Sequence, residues 1–235
     1  MKTDRSLDAL RETVLRANLE LAGSGLVLGT FGNLSVVDRE AGVMVIKPSG
    51  VPYDALTPAD MVALSLQSGR VVDGTRRPSS DTPTHLELYR AFDCGAIVHT
   101  HSEFATLFAQ TRRQIRCMGT THADYFRGTI PVTRPMTQAE VETAYEANTG
   151  LVIVDTFRTA AVDPREVPAV LVANHAPFAW GPNASKAIDH ARVLEYVARL
   201  EWRGLTMAPG APEPDAFLID KHYLRKHGPD AYYGQ

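Results

Sequence analysis

His99 and His101 stand two residues apart at the end of an apolar run, Ala96-Ile97-Val98. Residues i and i+2 of a strand share a face, so the pair can aim both imidazoles at one point, which is what a transition metal needs. His175 follows a second apolar run, Ala169 to Ala173, and can bring a third imidazole to the same sheet rim. Three neutral nitrogens with one further position, open or filled by a carboxylate, form the donor set of a catalytic rather than a structural zinc. Asp81, in Ser79-Ser80-Asp81-Thr82-Pro83-Thr84-His85, can supply the carboxylate. Each residue also has a plainer reading: a His-x-His pair can be a hydrogen-bonded polar rim, and an Asp at a helix entry can cap that helix. His85 and His122 share no strand face with the pair and read as hydrogen-bonded or structural residues.

Three polar turns, Thr30-Phe31-Gly32-Asn33, Lys47-Pro48-Ser49-Gly50 and Ser79-Ser80, offer backbone N–H groups, hydroxyls and one ammonium. That is the equipment for a phosphate dianion, although none matches a Walker or dinucleotide glycine motif and each can be an ordinary turn. Proton transfer beside a metal-bound substrate needs a further group. The run from Gly119 to Phe126 is dense in candidates, of which Asp124 is the best, its plainer role being to bind backbone amides in a turn.

These residues need elements to hold them. Helical spacing of Leu7, Leu10, Val14, Ala17 and Leu21 predicts a helix from about Ser6 to Ala22. Short apolar runs predict strands at Leu34 to Val37, Val43 to Ile46, Met61 to Leu66, Val71-Val72 and Ala96 to Val98. Helices are expected from Thr84 to Phe92, Ser102 to Gln110, Ala184 to Arg203 and Asp215 to His227. Thr137-Gln138-Ala139-Glu140 is a capping box, predicting a helix to about Asn148 that Gly150 stops, with strands at Leu151 to Val154 and Ala169 to Ala173. This irregular alternation implies one α/β domain spanning residues 1–235, with a central, mainly antiparallel sheet flanked by helices. Pro209, Pro212 and Pro214 set off a tail over residues 209–235, whose tyrosines and basic Lys221 to His227 segment argue that it docks.

With 44% hydrophobic and 22% charged residues, the chain has the composition of a globular protein with a sizeable core. A net charge of −3 gives no global pull toward nucleic acid or anionic membrane, and the Arg112, Arg113 and Arg116 cluster reads as a solvated face. Two cysteines, Cys94 and Cys117, are too few for a disulfide framework. Neither a signal-peptide pattern at the N-terminus nor an apolar run of ~18 residues is seen, so a cytoplasmic address is expected.

Four separated blocks, Val45 to Val51, Pro78 to His85, Ile97 to Ser102 and the tail from Lys221 to Gln235, resemble the class II sugar-phosphate aldolase and epimerase family over nearly the whole chain. The resemblance implies Zn2+, or another divalent ion such as Mn2+ or Co2+, on His99, His101, His175 and Asp81. It implies substrate and phosphate contacts from Gly32, Asn33, Lys47, Ser49, Gly50, Ser79 and Ser80, and proton transfer by Asp124 and Tyr233 on opposite sides of the reacting carbon. The implied assembly is a homotetramer with sites at subunit boundaries, the tail reaching a neighbour's site. The implied activity is 4-epimerisation of a pentulose 5-phosphate by retro-aldol cleavage and re-addition. Aldolases of the family resemble it but carry Glu where Asp81 stands; a sugar-phosphate decarboxylase and a non-catalytic adducin-like binding domain share the scaffold. Two local departures, Phe31 where the motif has Trp and Asn174-His175-Ala176 where it has Ser-His-Gly, bear on the sugar and alter no ligand.

Overall fold

Alternation along the strands builds the core in two layers. In the computed structural model, which describes residues 2–233 and so leaves Met1, Gly234 and Gln235 outside the described residues, Val45 and Ala63 face one side of the sheet and pack with Val14 and Leu15 of the first helix, α1 (Lys2–Gly23). Their neighbours Met44, Ile46, Val62 and Leu64 face the other side and join the larger core. The sheet has seven strands: β1 (Asn33–Asp38), β2 (Val43–Ile46), β3 (Val62–Ser65), β4 (Val71–Asp73), β5 (Ala96–His99), β6 (Ala169–Leu171) and β7 (Pro177–Gly181). Their order is β4-β3-β2-β1-β5-β7-β6, and every ladder is antiparallel, as the sequence pattern implies. β5 lies between β1 and β7, with His99 opposite Asn33 on one side and Phe178 on the other.

The remaining helices are α2 (Thr82–Ala91), α3 (Glu103–Gln110), the single turn α4 (Thr120–Ala123), α5 (Gln138–Ala160), α6 (Ala184–Met207) and α7 (Ala216–His227). No helix of the described residues is long and apolar enough to cross a membrane.

The expected stop at Gly150 is wrong, and so is the strand at Leu151 to Val154: both lie inside α5. The capping box at Thr137 and Glu140 is present, but the helix continues because Gly150 is a packing contact. A Cβ there would lie 2.6 Å from the Glu87 Cβ and 3.0 Å from the Thr84 carbonyl oxygen, so its absence lets α5 press against α2. The discontinuity lies instead at Ala144, whose φ of −155° and ψ of 66° break the helical run. β7, unforeseen in the sequence, is buried along its whole length and lacks the polar alternation that marks a half-exposed strand.

Candidate metal centre and active site

The three histidines converge. One ring nitrogen from each of His99, His101 and His175 lies within 4.8 Å of the others, with ring centroids 5.0–5.1 Å apart. His99 ends β5, stacks on Phe178 at 4.2 Å and donates from Nδ1 to the Pro177 carbonyl oxygen at 2.9 Å. A carbonyl can only accept, so the proton is on Nδ1 and the Nε2 lone pair is free for a ligand, the usual outer support of a metal-bound histidine. His175 sits on the β6–β7 turn after Asn174, which adopts φ +63° and is tied by its backbone N–H to the Ala109 carbonyl at the end of α3. Burial, reinforced by His99 and His101, pushes His175 down to about 4, and burial likewise lowers His101, so charge is disfavoured on both of these rings. The Nδ1 of His175 is buried and without a partner. The donor set and this orphaned nitrogen fit a divalent ion.

The cluster opens onto a cavity of about 340 Å³ whose wall includes Gly32, Asn33, Lys47, Ser49, Gly50, Ser79, Ser80 and Asp81. All the residues assigned from sequence to metal and substrate therefore share one space. Asp81 precedes α2 but makes no capping bond with its side chain; its Oδ2 accepts from Asn33 Nδ2 at 2.7 Å. It lines the cavity without joining the 4.8 Å histidine group. Asn33 also donates to Ser79 Oγ at 3.1 Å, which uses both amide protons and leaves its buried Oδ1 without a donor.

The turns that frame the cavity are bound to one another. Ser79 N–H donates to the Lys47 carbonyl and Ser49 N–H to the Arg77 carbonyl, around a Pro48–Pro78 bridge. Lys47 is 2% exposed, and its ammonium has the Pro48 carbonyl at 3.3 Å and the Tyr53 ring at 4.7 Å. Burial lowers its pKa, as expected for a cation with little counter-charge that would gain from an anion in the cavity. Tyr53 donates to the Gly32 carbonyl at 2.8 Å and fixes the Thr30–Asn33 turn. Gly32 has φ +78°, and a Cβ there would meet the His99 carbonyl oxygen at 2.8 Å. Phe31 is exposed at the rim, 5.6 Å from the His101 ring.

Two lining residues were not foreseen: Tyr145 and Glu146. They follow the break at Ala144, and the Thr84 hydroxyl holds the Glu146 carbonyl at 2.6 Å. No local motif marks them; their placement depends on the kink.

Asp124 and Tyr233 do not line the cavity of their own chain. Asp124 caps α4 and accepts from His222 Nδ1 at 3.1 Å and from Arg225 Nε and Nη2 at 3.1 and 3.0 Å. Arg225 also lies 4.1 Å from the Tyr233 ring centroid, so one guanidinium holds both residues together and α7 is anchored on its own chain. His85 and His122 are hydrogen-bonded and buried, in accord with the sequence. Arg116 is no free surface charge: it pairs with Glu201, 3% exposed, at 2.9 Å.

Solved structures share this architecture. An L-fuculose 1-phosphate aldolase aligns with a TM-score of 0.77 and 26% identity, covering 92% of this chain and 95% of that one. YgbL from Escherichia coli, whose description offers aldolase, epimerase and decarboxylase, aligns at 0.71 with 24% identity over 92% and 98%. An l-fuculose-1-phosphate aldolase from Thermus thermophilus aligns at 0.66 with 24% identity over 87% and 98%. Residues 12–202, which hold the three histidines, Asp81 and every turn around the cavity, match the Class II Aldolase and Adducin N-terminal domain, and the chain belongs to that family.

Proposed function

We propose that this protein is a divalent-metal-dependent enzyme that interconverts L-ribulose 5-phosphate and D-xylulose 5-phosphate by breaking and remaking the C3–C4 bond. The observation that carries the reading is the meeting of three convergent imidazoles with Lys47, Ser49, Ser79 and Ser80 around one cavity. A metal site and a phosphate site in one space suit a phosphorylated ketose, with the ends of the substrate held apart. Zn2+ on His99, His101, His175 and Asp81 would supply Lewis acidity toward the ketose carbonyl and its neighbouring hydroxyl.

The chain's own residues do the rest. Lys47, the Ser49-Gly50 turn and Ser79-Ser80 hold the C5 phosphate. Asn33, which lines the cavity, binds a substrate hydroxyl. A base takes the C4 hydroxyl proton as C3–C4 breaks, leaving the enediolate of C1 to C3 and glycolaldehyde phosphate. The aldehyde rotates, the enediolate attacks its other face, and an acid on the opposite side protonates the new C4 oxygen. Asp124 and Tyr233 are the proposed pair. Because they lie outside the cavity of their own chain, a neighbouring subunit would deliver them, in keeping with a homotetramer whose sites lie at subunit boundaries and whose tail, residues 209–235, completes them.

The 26% identical aldolase structure favours a second reading, in which the aldehyde is released. Incubating the protein with L-ribulose 5-phosphate separates the two: D-xylulose 5-phosphate is expected, and free glycolaldehyde phosphate without it would establish the aldolase. Mixing His101→Asn and Tyr233→Phe proteins tests the shared site, since subunit exchange should raise the activity above the sum of the two variants.

A further inference from the structure

Behind the cavity, and outside its lining, a file of buried polar side chains joins β1 to α2. His85 Nδ1 lies 2.7 Å from Ser35 Oγ, and Ser35 Oγ lies 2.8 Å from the Tyr89 hydroxyl. The Tyr89 hydroxyl lies 2.9 Å from the Ser35 carbonyl oxygen. Ser35 and His85 are 0% exposed and Tyr89 is 1% exposed, so water does not complete these bonds.

Counting protons fixes the direction of the file. The Ser35 carbonyl can only accept, so it takes the single phenol proton. The Ser35 hydroxyl must then donate to the phenol oxygen, and His85 Nδ1–H must donate to Ser35 Oγ. This is the one arrangement in which all three contacts are hydrogen bonds. It leaves His85 Nε2 as a bare lone pair, and Nε2 is among the buried atoms with no partner.

The surroundings of that nitrogen give the lone pair a purpose. His85 lies one helical turn after Asp81, its N–H donating to the Asp81 carbonyl at 3.0 Å. Asp81 and His85 are four residues apart at the start of α2, so their side chains share one helix face. Phe178, which stacks on His99, meets the His85 ring edge-on at 5.9 Å. An N–H at Nε2 would be a donor without a partner in a dry site, on the same helix face as the Asp81 carboxylate, and would compete for it.

We propose that the Tyr89–Ser35–His85 file is a tautomer lock: by keeping the His85 proton on Nδ1 it denies Asp81 a second hydrogen-bond donor besides Asn33 and leaves the other carboxylate oxygen free to turn to the ion. His85 is then a positioning residue that acts through Asp81, and the inference rests on the reading of Asp81 as a metal ligand.

Two measurements on chelator-stripped protein test it. Nitrogen-15 shifts of labelled histidine distinguish the tautomers in the unaltered protein, and competition with a chromophoric chelator gives the zinc dissociation constant. Unaltered protein should show His85 protonated on Nδ1. Ser35→Ala and Tyr89→Phe should move the proton to Nε2 and weaken zinc binding by about tenfold, the lower end of what outer supports of a metal site are worth. His85→Phe added to Ser35→Ala should restore the original affinity, because no donor remains, whereas a merely structural role leaves the double variant no better than Ser35→Ala. An Nε2–H tautomer in the unaltered protein, or absence of rescue, overturns the lock. Asp81→Asn keeps the two questions apart: undiminished zinc affinity in that variant removes Asp81 as a ligand and the lock with it. Weakened affinity there with Ser35→Ala unaffected removes the lock alone.

Discussion

Gly32→Ala offers the most direct test of how the turn before β1 seats the metal centre, with Gly50→Ala as its control. Both glycines have left-handed backbones, φ +78° and +70°, but only the first is crowded. A Cβ at Gly50 meets nothing within 4 Å, so its cost is conformational, about 1 kcal/mol after the gain from a stiffer unfolded chain. At Gly32 the new Cβ would also lie 2.8 Å from the His99 carbonyl oxygen and 3.0 Å from the Val27 Cγ1. Overpacking of that kind adds about 1–3 kcal/mol, for a total near 3 kcal/mol. At about 2–4 °C per kcal/mol for a chain of this size, Gly32→Ala should lower Tm by roughly 6–12 °C and Gly50→Ala by no more than about 4 °C. The obstructing oxygen belongs to a histidine of the metal cluster, so Gly32→Ala should also weaken zinc binding by about tenfold while Gly50→Ala leaves it unchanged. Calorimetry of stripped protein and a zinc titration give both readouts. Equal Tm losses, or unaltered zinc affinity in Gly32→Ala, would refute the reasoning.

Burial holds His122 and His190 down to about 4 in the folded chain, against about 6.5 when unfolded. Between those values the unfolded chain takes up protons that the folded one refuses, so stability present above pH 6.5 should be lost as pH falls toward 4. Urea midpoints of stripped protein that stay level between pH 7 and 5 would contradict this. Replacing Ser79 and Ser80 by Ala should raise KM for the phosphorylated sugar by about tenfold and narrow its advantage over free L-ribulose; unchanged discrimination argues against a phosphate role. Tyr233→Phe removes only a proton donor and should lower kcat by roughly 10²-fold with metal content unchanged, whereas near-normal kcat in folded, metal-loaded protein would leave the tail a structural role.

The sequence was most legible where function and local pattern coincide. His99-x-His101 after an apolar run signals both a buried strand and a convergent pair, and β1, β2 and β5 lie within a residue or two of their expected bounds. Gly150 misled because a glycine needed for contact between helices looks the same as one that ends a helix. β7 escaped because a central strand buried on both faces has no alternation, and Pro177 and Gly181 at its ends look like turn residues. Tyr145 and Glu146 reach the cavity just past a kink, where the Thr84 hydroxyl of α2 holds the Glu146 carbonyl, a contact over 62 positions that no local pattern announces. Asp124 stood out by composition, but its partners Arg225 and His222 are about a hundred positions away and no local pattern announces them.

The place of β5 makes the metal centre a reporter of strand alignment. Asn33, His99 and Phe178 are level across three adjacent strands. A slip of one residue would send His99 to the opposite face and separate it from Asn33 and His175. An ion bound with full affinity can therefore form only on the correctly paired sheet, so loading favours that pairing over its slipped rivals. Metal occupancy would then act as an assembly checkpoint, failing in core variants of Ile97 or Val98 before any loss of secondary structure is seen.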